Sequence, residues 1–156
     1  MTELPESGIR VAFDIGSARV GVSRCDQEQI LALPVTTLAS GDSLMSDAID
    51  LINQFGARVV YVGLPINLQG KNTQSTESAI SFAQNLTEEL NQRANAVQVR
   101  LVDERLSTAV ATRSMQASGR SAKSSKEVVD QAAAVEILES AIAIEKRTQA
   151  LAGRPI

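Results

Sequence analysis

The chain has 156 residues, 44% of them hydrophobic and 3% aromatic, with 15 basic against 18 acidic residues and a formal net charge of −3. That is enough to bury one sizeable core, and no apolar run approaches the roughly 20 residues that a membrane helix needs. One cysteine, Cys25, leaves no internal disulfide, and the lack of histidine excludes Cys/His zinc sites, Ser-His-Asp and Cys-His hydrolysis and every imidazole base. Met1 to Arg10 has no basic segment leading into an apolar one, so a cytoplasmic protein is expected.

Ile9 to Asp14 is an apolar run ending in Asp-Ile-Gly, and Arg19 to Arg24 resumes β-type residues after a short connection, which predicts a hairpin. A third strand is expected around Ile30 to Leu38. Leu44, Ala48, Leu51, Ile52 and Phe55 share one helix face, and Gly56 is placed to stop that helix. Arg58 to Val62 reads as a strand buried on both faces, ending at the turn Gly63-Leu64-Pro65. From Thr73 to Arg93, Ala79, Ala83, Leu86 and Leu90 mark a second helix, and Val97 to Val102 returns to strand character. Ser107 to Ser118 can form a third helix. Arg120 to Lys126 reads as a mobile, serine-rich loop. The last helix should start near Lys126, where Ser124 and Glu127 fit a capping box, and run to about Ile144. Three leading strands with short turns should be antiparallel to one another, and the later strand-helix alternation needs parallel crossovers, so the sheet is mixed α/β with five strands and helices on both faces.

Three acidic positions sit where a carboxylate is awkward for stability. Asp14 ends the first strand, Asp103 and Glu104 end the last, and Asp130 lies in the apolar helix stretch Val128 to Leu138. Active sites in such sheets form at the carboxyl ends of the strands. The small Ala133 and Ala134 on the face of Asp130 would let its helix approach closely. Because neighbours in a strand point to opposite faces, Asp103 and Glu104 cannot both join, and spacing does not choose between them. Clustered buried carboxylates repel one another unless a hard cation such as Mg²⁺ or Mn²⁺ neutralises them. Two such ions activate a water and stabilise the leaving oxygen of a phosphodiester, chemistry that needs no histidine. Gly63 to Gly70, with Asn67 and the nearby Lys71, is longer than a simple connection and reads as a substrate loop. Arg113, Arg120, Lys123 and Lys126 make a modest basic patch, for which the competing explanation is an ordinary solvated face.

Four blocks resemble the YqgF-type family of pre-16S ribosomal RNA nucleases, relatives of bacterial Holliday junction resolvases. They are Phe13-Asp14-Ile15-Gly16-Ser17-Ala18-Arg19-Val20-Gly21-Val22, Gly63-Leu64-Pro65 with Asn67 and Gly70, Asp103-Glu104-Arg105-Leu106-Ser107-Thr108, and Val129-Asp130-Gln131-Ala132-Ala133-Ala134. The resemblance implies a ribonuclease H-like fold over a core of about residues 9–144 in one domain. It implies catalytic and metal-binding roles for Asp14, Glu104 and Asp130, and thus favours Glu104 over Asp103. It further implies substrate roles for Arg19, Asn67 and Arg105. The expected activity is metal-dependent hydrolysis at the 5′ end of a ribosomal RNA precursor, possible on ribosomal particles, by a monomer or homodimer without membrane attachment. Ala133 and Ala134 stand where junction resolvases present a further acid, which favours the ribosomal RNA branch over cleavage of branched DNA. A non-catalytic RNA-binding assembly module is a third reading, disfavoured by the scarcity of aromatic residues for base stacking. An actin-like or sugar-kinase ATPase would need a much longer, two-lobed chain.

Overall fold

The computed structural model describes residues 7–65, 71–104 and 122–156, with side chains in the last stretch from Glu127 onward. Strands β1 (Arg10–Ile15), β2 (Arg19–Cys25) and β3 (Ala32–Ala39) lead into helix α1 (Leu44–Phe55), strand β4 (Val59–Leu64), helix α2 (Gln74–Gln92), strand β5 (Gln98–Asp103), helix α3 (Ala122–Thr148) and strand β6 (Arg154–Pro155). The sheet order is β3-β2-β1-β4-β5-β6. The β1–β2 and β2–β3 pairs are antiparallel, whereas β1–β4 and β4–β5 are parallel, as the order of strands and helices required.

Period-two alternation splits the core into two layers. Val11 and Phe13 of β1, Val60 and Val62 of β4, and Val99 and Leu101 of β5 pack against Ile49 and Ile52 of α1 and Phe82 and Leu86 of α2. Phe13 and Phe82 meet as a tilted pair with ring centroids 5.4 Å apart. The intervening residues Ala12, Val59, Tyr61 and Val102 face Ile137, Leu138, Ala141 and Ile142 of α3. Helices thus cover both faces. Thr73 caps α2 in a reciprocal box with Thr76, and α1 stops at Gly56 as expected. No helix among the described residues is long and apolar enough to cross a membrane.

Two expectations are corrected. The sheet has six strands, because Arg154–Pro155 adds to the edge of β5 with Leu101 opposite Arg154. The Arg100 side chain helps hold this segment, donating to the carbonyls of Ala152 and Gly153 at 2.6 and 2.9 Å. A two-residue strand carries no periodicity from which it could be read. The last helix is already formed at Ala122, so Ser124 lies within it, and the stretch from Ala122 to Lys126 is helix and not loop. Alanine and lysine are good helix formers and serine costs little, so the apparent cap is overridden. The expected helix Ser107 to Ser118 lies outside the described residues.

Candidate active site

The alternation that builds the two layers also sorts the acids. Ala12 faces α3, so Asp14, two residues on, leaves β1 on that side near the strand's carboxyl end. Val102 faces α3 as well, which puts Glu104 on the same side and Asp103 on the other. In β2, Val20 and Val22 belong to the α1–α2 layer, leaving Arg19, Gly21 and Ser23 beneath α3. The choice between Asp103 and Glu104 thus follows from which face α3 covers.

Two glycines make the room. Gly21 is paired with Asp14 across β1–β2, and a Cβ there would collide with the carbonyl of Asp130. Helix α3 therefore rests its backbone on β2 at the residue whose carboxylate is wanted. One turn later the Ser23 hydroxyl donates to the Ala134 carbonyl at 2.7 Å, fixing the same approach. On β4, a Cβ at Gly63 would lie 2.5 Å from both Glu104 Oε1 and Ile137 Cδ1. Gly63 is thus a strand residue that leaves space for the Glu104 side chain, rather than part of a loop around a ligand. Its role is missed by reading Gly63-Leu64-Pro65 as a turn.

Asp14 and Glu104 are hydrogen-bonded to each other, with the Glu104 carboxyl as donor. Burial first, then the negative charge of Asp14 and a hydrogen bond to it, push the Glu104 carboxyl up to about 8. Asp14 is raised by burial and by the charge of Asp130, and partly offset by the hydrogen bond it accepts from Glu104. The third acid is turned aside: Asp130 Oδ2 accepts from Arg19 Nε at 2.9 Å, with both side chains partly exposed. Among the described residues no three carboxylates, cysteines or histidines converge tightly enough to enclose a metal ion. The structure accordingly brings Asp14 and Glu104 together and sets Asp130 within electrostatic reach of Asp14, bound to Arg19. Asn67, Arg105, Arg113 and Arg120 lie outside the described residues, as do the side chains of Lys123 and Lys126 in the first turns of α3.

The donor set suits a hard divalent cation. Among the described residues it offers carboxylate oxygens, and burial and then the charge of Asp14 raise Glu104, a cost that a bound cation would relieve. Placement at the carboxyl ends of the parallel strands β1 and β5 is where sheets of this kind bind ligands.

Residues 8–144 match the RuvX family, described as Holliday junction resolvase. A protein of Leifsonia xyli subsp. xyli (strain CTCB07), provisionally named a pre-16S rRNA nuclease, is 43% identical over 152 residues, covering 96% of this chain and 95% of its own. One of Corynebacterium glutamicum with the same provisional name is 39% identical over 158 residues, covering 94% and 84%. Among solved structures, Thermus thermophilus RuvC in complex with a Holliday junction substrate superimposes with a TM-score of 0.59 at 11% identity, covering 96% of this chain and 99% of that one. At that identity the likeness is one of fold.

Proposed function

The chain belongs to the RuvX family of Holliday junction resolvases, and from that premise we propose that it is a divalent-metal-dependent nuclease that processes the 5′ end of pre-16S ribosomal RNA in the cytoplasm. The observation that carries the reading is the hydrogen-bonded carboxyl pair of Asp14 and Glu104, which lies on the α3 side of the sheet at the carboxyl ends of β1 and β5. Asp14 and Glu104 would hold Mg²⁺ or Mn²⁺, with Asp130 completing the set. When bound, the cation supplies an activated water and neutralises the charge that develops on the leaving oxygen.

The chain's own residues do the positioning. Gly21 seats Asp130 over β2, and Arg19 holds its carboxylate at the rim. Burial and the neighbouring charge of Asp14 raise the Glu104 carboxyl, which would have to give up its proton in order to hold a cation. Asn67, Arg105, Arg113, Arg120, Lys123 and Lys126 are assigned to the nucleic acid, and contacts of basic side chains with phosphates make affinity fall with salt. Residues 9–144 form the nuclease core.

Branched DNA is the second reading, favoured by the description of the family itself. Both are tested by incubating labelled precursor ribosomal RNA and a four-way DNA junction with wild type and Asp14→Asn in Mg²⁺, Mn²⁺ or EDTA. RNA cleavage that needs the ion and disappears in Asp14→Asn is expected. Preferential cutting of the junction would move the assignment to DNA, and binding without cleavage of either would overturn the nuclease reading.

A further inference from the structure

Helix α3 runs antiparallel to β1. Asp130 lies at the Asp14 end of the strand, whereas Glu145 reaches Arg10 at its beginning. The far half of α3 therefore sits at the pole opposite the carboxylates. There a groove of about 390 Å³ opens between Ile30 and Leu31 of the β2–β3 turn and Glu139, Ile142, Ala143 and Lys146 of the helix.

Ile30 is 71% and Leu31 57% exposed, and the turn is built to hold them so. The Asp26 carboxylate accepts from the backbone of both, at 2.7 and 2.8 Å, and Gln29 takes the left-handed conformation at φ 55°. A turn with this many fixed contacts presents its two large apolar side chains in a set direction, which marks an interaction surface rather than a stray exposure.

The charges on the helix say what fits. Glu139 and Lys146 are exposed, stand two turns apart on one stripe, and are in none of the ion pairs found among the described residues. Their midpoint falls between Ile142 and Ala143. A second α3 laid antiparallel about that midpoint brings 139 opposite 146 twice, and 142 opposite 143. A surface that is its own charge complement under a two-fold rotation is what an isologous dimer requires.

We propose that this groove binds a second copy of the chain, antiparallel along α3 about a two-fold axis between Ile142 and Ala143. Ile30 and Leu31 of each copy fill the groove of the other, and each Glu139 faces Lys146 of the partner subunit. The two candidate active sites then open at opposite poles of the dimer, so each copy cuts its own substrate and the pair does not make coordinated incisions in one junction.

Sedimentation of the full chain over a range of concentrations tests this. Wild type should show a monomer–dimer equilibrium, and Ile30→Asp should stay monomeric where wild type is dimeric. Lys146→Glu should weaken association by about tenfold, because it sets like charges against each other twice, while Glu139→Lys with Lys146→Glu should return it to within about threefold of wild type. These charge variants sit on the exposed face of α3, so they keep the test decisive if Ile30→Asp misfolds. A wild type that is monomeric throughout overturns the proposal. So does a dimer indifferent to Lys146→Glu, or a double variant no tighter than the single one.

Discussion

Gly21 sets how closely α3 approaches the sheet at Asp130, because a single methyl group there would occupy the position of the Asp130 carbonyl. The obstacle is backbone and cannot rotate away, so Gly21→Ala must lift the helix. Overpacking of this kind costs about 1–3 kcal/mol. The expected outcome is a lowered urea midpoint together with weaker divalent-ion binding, since the displaced carboxylate is a proposed ligand. An unchanged midpoint and unchanged ion titration would show that α3 is not seated by this contact. The role of Gly21 is not legible in the chain, where a glycine between two valines reads equally as hairpin chemistry. Asp14, Glu104 and Asp130 are legible as misplaced acids, and Asp14 and Glu104 do meet. What spacing cannot supply is the face covered by α3, which separates Glu104 from Asp103, or the capture of Asp130 by Arg19, 111 residues away.

At the scale of elements, α3 is held at its far end by a buried charge cluster that hydropathy does not reveal. Arg10 is 1% exposed, donates to Glu145 Oε2 and Oε1 at 3.2 and 2.9 Å, and gives a further bond to the Gly8 carbonyl. The Tyr61 hydroxyl donates to Glu145 at 2.6 Å and accepts from the Ala152 amide, so β1, β4, α3 and the C-terminal segment meet at one point. Removing one partner of such a pair leaves the other charge buried. Glu145→Gln is expected to cost about 3–5 kcal/mol in equilibrium denaturation, while Arg10→Met combined with Glu145→Leu should recover much of the loss. A cost below about 1 kcal/mol would mean that water reaches the guanidinium. Strand order, sheet polarity and helix faces are legible because alternation and 3.6-residue spacing report burial directly. The start of α3 and the existence of β6 are not, since tertiary contacts through Arg100 and helix propensity decide them.

For the whole molecule, the carboxylates at one end of the sheet tie stability to pH and to the cation. The Glu104 carboxyl is pushed from 4.5 up to about 8 in the folded state, by burial and then by the charge of Asp14, so between those values the folded protein binds more protons than the unfolded chain. Stability therefore falls as pH rises through this window, whereas a carboxylate lowered on folding would act in the opposite sense. Without metal, the unfolding temperature of wild type should decline from pH 5 to pH 8, and Glu104→Gln, which cannot lose a proton, should flatten that decline. Adding Mg²⁺ or Mn²⁺ should raise the wild-type unfolding temperature most at the alkaline end, because binding requires the deprotonated carboxyl and releases its proton. The same additions should leave Asp14→Asn nearly unmoved. If Glu104→Gln declined as steeply as wild type, the proton would reside elsewhere. If the ions stabilised wild type and Asp14→Asn alike, their site would lie away from this pair, and the assignment of the carboxylates to a metal would fall while the fold stood.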